Sequence, residues 1–144
     1  MPYDVPHLLK MSQSDLDALF TASDTGPIPT GQANGTAIIA PGTAYSPEIA
    51  TLINTFAWQG KIFDPTTGTL KNRIGPFGLN AILAKVYKAP SWLDNKECIV
   101  LDYSETSLVA HWIRDEIRLI QQPGLYLGKV YWDKTRLIDF ALQF

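Results

Sequence analysis

Two stretches of the chain combine residue types that could do chemistry, and in both the spacing is that of a β-strand. In His111-Trp112-Ile113-Arg114-Asp115-Glu116-Ile117-Arg118, alternation puts Trp112, Arg114, Glu116 and Arg118 on one face and His111, Ile113, Asp115 and Ile117 on the other. With the even face outward, its charges form a solvated ladder of alternating sign, and Asp115 points inward with His111. An inward carboxylate is costly unless paired, and such groups gather where chemistry or ligand recognition takes place. The competing arrangement is a bulged edge strand with every charge in water.

The second stretch is Asp102-Tyr103. Cys98, Val100 and Asp102 alternate with Ile99, Leu101 and Tyr103, so one of the two polar residues faces the side that is otherwise core. An apolar surrounding raises an inward carboxyl's pKa and suits it to general acid or base work, with a tyrosine hydroxyl able to steady a developing enolate. That chemistry is proton transfer without a cofactor. The alternative is structural, with a tyrosine capping a strand end and an aspartate opening the turn from Asp102 to Thr106. Asn72 and Asn80 carry a similar choice, since each lies on the apolar phase of its strand, beside Leu70 and Ile74 or beside Ile82 and Ala84. A buried amide there either orients a ligand carbonyl or bridges two strand backbones.

Other sites lack their spacing. There is no G-x-x-x-x-G-K-[ST], G-x-S-x-G, H-E-x-x-H or paired C-x-x-C. With only His7 and His111, no multi-histidine metal site can be built. A haem needs one axial ligand, which His111 would supply, but a single strand histidine is more often a satisfied or surface residue. No cofactor and no metal is expected. The 144 residues carry 12 Lys+Arg against 14 Asp+Glu for a net charge of −2, with no basic cluster of the kind nucleic acid requires. At 46 % hydrophobic and 18 % charged, the chain reads as one domain able to bury a core without a disulfide, which the single Cys98 forbids in any case. It has no run of 18 apolar residues to span a membrane and no signal-peptide pattern, so it is expected to be cytoplasmic.

These groups need positioning elements. Residues 2–6 suit an extended arm. Ser12 or Ser14 can cap a short helix with Leu16, Leu19 and Phe20 on one face. The Pro- and Gly-rich segment 26–31 is a loop leading into a first strand at 35–40. Ser46-Pro47-Glu48 opens an amphipathic helix over 46–56, with Ile49, Leu52, Ile53 and Phe56 on its apolar face. From residue 57 the period becomes two, with strands over 57–63, 69–74, 79–87, 97–103, 107–120, 125–132 and 136–144 joined by short turns. About eight strands with short connections predict a mainly β fold, an antiparallel up-and-down barrel in which residues 1–34 form an arm and short helix and the 46–56 helix packs across one end.

The order of parts, a Gly-containing first strand, a helix and a meander, resembles the lipocalin-like barrels. Trp58-Gln59-Gly60-Lys61-Ile62-Phe63 is similar to the W-x-G-K-x-F element of small bacterial GXWXG-type barrel proteins. The stretches 100–104, 112–116 and 123–128 resemble the C-terminal half of a family of small bacterial proteins. Where lipocalins have an early G-x-W, this chain has Gly35-Thr36-Ala37. The resemblance implies a lipocalin-like barrel.

Aromatic residues spread over most strands, as either a filled core or an apolar pocket requires, while Gly60, Ala81, Ala84, Ala110, Gly128 and Ala141 leave space. The first expectation is a protein that binds a hydrophobic small molecule (a lipid, isoprenoid or polyketide-like compound) in a barrel cavity. Its candidate lining is Trp58, Asn72, Asn80, Trp112, Arg114, Tyr126, Trp132 and Phe140. The rival is a cofactor-independent isomerase or cyclase using Asp102, Tyr103, His111 and Asp115 for proton transfer in the same cavity. A filled barrel with a structural role is the third. The exposed strands and the C-terminus at Phe144 are compatible with a homodimer.

Overall fold

Asp4 accepts the amide of His7 at 2.8 Å and, with Pro6 in the first turn, starts a short helix, α1, over Val5–Leu9. The expected extended arm is therefore replaced: an Asp cap and a proline preorganised for the first turn outweigh the shortness of the segment, because Leu8 gains full burial. Ser12 caps α2, Gln13–Ala22, by accepting the amide of Asp15, and Leu16 and Phe20 are completely buried along its inner face. The structure is a computed structural model and describes residues 3–38, 59–74, 79–106 and 111–144. The helix expected over 46–56 lies outside those residues, as does Trp58.

Eight antiparallel strands follow: β1 Gly31–Ile38, β2 Gly60–Asp64, β3 Thr69–Ile74, β4 Leu79–Pro90, β5 Glu97–Asp102, β6 Ile113–Gln121, β7 Leu125–Trp132 and β8 Thr135–Gln143. They pair in sequence order and close into a barrel through β8 and β1, where Thr36 faces Ala141. Closure removes the exposed edges that a meander of this length would otherwise leave. β1 begins at Gly31, four residues ahead of the expected Gly35, because its first half pairs with β2 from Gly31↔Phe63 to Asn34↔Gly60. At Gly60, φ is +145° and a Cβ would lie 2.1 Å from the Ala33 carbonyl oxygen, so only glycine allows this approach of β1 and β2. β6 starts at Ile113, later than expected, and His111 and Trp112 form the turn ahead of it, where Trp112 O accepts the Asp133 amide.

Apolar side chains fill both surfaces of the sheet. Inside lies one cluster that includes Phe63, Leu70, Ile99, Leu101, Ile117, Tyr126, Phe140 and Leu142. Outside, Ile38, Cys98, Val100, Leu125, Leu127 and Ala141 are covered by Leu8, Leu16 and Phe20 of the two helices. Full burial of such side chains contributes about 1.5–3 kcal/mol each.

Charged residues lock this outer layer. The even face of β6 does point outward, but Glu116 and Arg118 are buried and Arg114 is partly so, in place of the solvated ladder expected. The reason is non-local: the 91–96 connection folds back over β6, and α2 lies beside it. Arg118 holds both oxygens of Asp94, at 2.6 and 2.8 Å, and the Phe20 carbonyl at 2.9 Å. Lys129 binds Asp17 of α2 and Asp139 of β8, each at 2.7 Å. Among the described residues no helix is long and apolar enough to cross a membrane.

Candidate functional site: a buried lysine cluster inside the barrel

Four polar side chains meet inside the barrel, each delivered by the alternation of its strand. Lys61 shares the inward phase of β2 with Phe63, and it faces Asn72 directly across the β2–β3 ladder. Tyr103 follows β5 two residues after Leu101, and Leu101 itself faces Asp115 across β5–β6. All four are buried, Lys61 and Tyr103 at 3 %, Asp115 at 4 % and Asn72 at 5 % exposure. They lie toward one barrel end, where β2 and β6 begin and β3 and β5 finish. The other end is aromatic, with Phe63 and Tyr126 packed on Phe144.

The hydrogen bonds define the atoms' roles. Lys61 Nζ donates to Asn72 Oδ1 and to the Tyr103 hydroxyl, both at 2.7 Å, and pairs with Asp115 Oδ2 at 3.2 Å. Asn72 Nδ2 donates to the Tyr103 hydroxyl at 2.9 Å and to the Ile82 carbonyl at 2.8 Å. The second bond has a structural cause. The register of β3 and β4 slips at Lys71/Asn72, leaving Ile82 as an unpaired bulge residue with φ +54°, and the amide satisfies its carbonyl. Of the two roles open to a buried amide here, Asn72 bridges strands and also serves the cluster. With both lone pairs of the phenol occupied by Lys61 and Asn72, its proton turns toward Asp115 Oδ2, 3.4 Å away. Asp115 Oδ1 is buried and has no hydrogen-bond partner among the described residues.

Charge is arranged accordingly. Burial works against the ammonium of Lys61, but the Tyr103 oxygen and the Asp115 carboxylate outweigh it and hold its pKa above the ordinary lysine value. Burial pushes the Tyr103 phenol up, with Lys61 opposing, so the ring stays neutral. Burial also raises the Asp115 carboxyl, again against Lys61, which makes it a stronger base than a surface aspartate. Lys61 Nζ also stands 5.4 Å from the centre of the Phe140 ring, which lies where a Cβ on Gly128 would fall.

Of the four residues expected to transfer protons, Tyr103 and Asp115 come together and the other two stand apart. Asp102 points outward, accepting the Tyr87 hydroxyl at 2.8 Å and the Ser104 amide at 2.9 Å, so it opens the turn. His111 is exposed, its ring 4.5 Å from that of Trp112, and it does not share the inward phase of Asp115 because the strand has not yet begun. Of the expected lining, Asn72, Tyr126 and Phe140 are inside, and the Tyr126 hydroxyl donates to the Pro27 carbonyl at 2.7 Å. Trp112 and Trp132 are exposed. Arg114 faces outward, 2.9 Å from Glu116 and 4.3 Å over the Trp92 ring. Asn80 pairs with Arg73 in the β3–β4 ladder.

Lys61 is the residue sequence reasoning missed. Its signal was available, for a lysine two positions before an inward Phe63 shares that phenylalanine's face. Among the described residues no group of three His, Cys, Asp or Glu side chains could hold a metal ion. Comparison with known proteins finds no matching family model, no similar curated protein and no similar solved structure.

Proposed function

We propose that the protein binds an apolar small molecule inside the barrel, anchored at its polar end by the Lys61–Asn72–Tyr103–Asp115 cluster. The observation that carries this reading is Asp115 Oδ1, a buried carboxylate oxygen with no partner among the described residues, in an interior that is otherwise apolar. A buried acceptor left open costs about 1–3 kcal/mol, more when charged, and such a cost persists where a ligand removes it. The division of the interior into an aromatic end and a polar end matches an amphipathic guest. Native mass spectrometry of the purified protein, followed by organic extraction, tests it. The reading expects a released apolar compound, or a mass shift on adding one from a panel of lipids and terpenoids. A clean mass that no member of the panel shifts would remove it.

A second reading is favoured by the bond chain from Lys61 and Asn72 through the Tyr103 hydroxyl to Asp115. In a cofactor-independent isomerase or cyclase, Asp115 would take a proton from carbon, the Tyr103 hydroxyl would bond to the resulting enolate oxygen, and the same proton would return at another carbon. The discriminating variant is Asp115→Asn, which abolishes turnover while leaving substrate affinity intact if this second reading holds.

A further inference from the structure

The cluster specifies what kind of head group it can receive. Lys61 has three N–H donors, and Asn72 Oδ1, the Tyr103 oxygen and Asp115 Oδ2 take all three. The phenol accepts from Lys61 and Asn72, and its own proton is directed to Asp115. Both N–H groups of the Asn72 amide are committed, to Tyr103 and to Ile82. The capacity that remains is an acceptor, Asp115 Oδ1. Resting on the small-molecule reading above, we propose that the ligand is a neutral molecule that presents a hydroxyl or N–H donor to Asp115 Oδ1, and that the barrel discriminates against carboxylates.

Charge supports the same choice. Lys61 and Asp115 form a pair of zero net charge with both side chains at 6 % exposure or less. A carboxylate ligand would add a buried negative charge beside Asp115 and would find Lys61 Nζ already engaged with Asn72, Tyr103 and Asp115. An ammonium ligand would meet Lys61. An ether or hydrocarbon would cover Oδ1 without satisfying it, which costs more than leaving it to a transient water. An alcohol alone among these classes completes the cluster without changing its charge. A permanently bound water would need two to four polar partners, and Oδ1 is the open polar atom the cluster offers it.

The test uses three matched probes, dodecan-1-ol, its methyl ether and dodecanoate, in competition titrations with the full-length protein read by native mass spectrometry. Satisfying a charged acceptor predicts that the alcohol binds about ten- to hundredfold tighter than either other probe. In Asp115→Asn the cluster keeps the Lys61 charge without its counter-ion, so the alcohol's advantage collapses and dodecanoate gains affinity. Asp102→Asn, which changes an outward carboxylate, keeps the wild-type order. Ether or dodecanoate binding as tightly as the alcohol to the wild type overturns the proposal and leaves the small-molecule reading standing. Binding of none of the three overturns the proposal, and a mass that the wider panel of lipids and terpenoids also leaves unshifted overturns the small-molecule reading with it. The wild-type ranking decides the matter even if Asp115→Asn does not fold.

Discussion

Replacing Lys61 with methionine keeps the approximate length and apolar stem of the side chain and removes its charge and its N–H donors. In the folded protein that deletes bonds to Asn72 Oδ1, Tyr103 and Asp115 Oδ2, and it leaves a carboxylate at 4 % exposure without its cation. Breaking a buried pair from one side costs about 3–5 kcal/mol. For a chain of this length that lowers Tm by roughly 10–15 °C. The loss has a pH signature. Burial already holds Asp115 above its ordinary value of 3.8, and Lys61 is the chief group opposing that rise, so the variant's carboxyl moves higher still. A carboxyl raised in the folded state favours folding at pH below its unfolded pKa, and this contribution fades as pH climbs through the folded value. The penalty should therefore be largest at neutral pH and shrink on acidification, where Asp115 is protonated and no longer an orphaned charge. Urea titrations of both proteins at pH 7 and pH 4.5 measure it. Adding Asp115→Leu to the methionine variant should recover much of the loss, with an interaction energy of about 1–3 kcal/mol. A penalty below about 1 kcal/mol, or one that is independent of pH, or strict additivity of the two substitutions, would refute the reasoning.

Three other variants probe the frame around the site. Arg118→Ala removes the clasp on Asp94 and the Phe20 carbonyl, and should cost about 3–5 kcal/mol and speed amide exchange in α2 before the barrel strands, as measured by hydrogen exchange. Gly128→Ala places a Cβ 2.2 Å from Phe140 Cζ and should destabilise by about 1–3 kcal/mol in denaturant titration, with partial rescue by Phe140→Leu. His111→Ala, at an exposed position outside the cluster, should leave probe affinity unchanged in the competition titrations, and a loss of binding would return His111 to the site.

What the sequence makes legible follows from how local each determinant is. β3 and β7 match their expected spans because each β-favouring run is bounded on both sides by Pro, Gly or Asp residues in the sequence. Alternation sets Tyr103 opposite Asp102 and Asp115 opposite Arg114, but which member of each pair faces inward stays open in the sequence, because a single bulge reverses the phase and the closed barrel decides it. α1 was not, because a five-residue helix shows no period and rests on the Asp4 cap and the burial of Leu8 against distant strands. The burial of Arg118 and Glu116 was hidden for a similar reason. Alternation groups them on one face, but only the tertiary fold turns that face outward and brings the 91–96 connection across it, where Ser91 reaches Glu116 at 2.6 Å. Likewise, the bulge at Ile82 that fixes the Asn72 amide has no sequence mark, since a β-branched residue is among the poorest candidates for positive φ.

The most direct test of the central claim is a crystal structure of the protein grown with dodecan-1-ol. The chain of the alcohol is expected inside the barrel with its oxygen about 2.7 Å from Asp115 Oδ1, and Lys61, Asn72 and Tyr103 are expected to hold the bonds they make now. An interior closed by its own side chains, with the alcohol absent or bound on the outer surface, would contradict it.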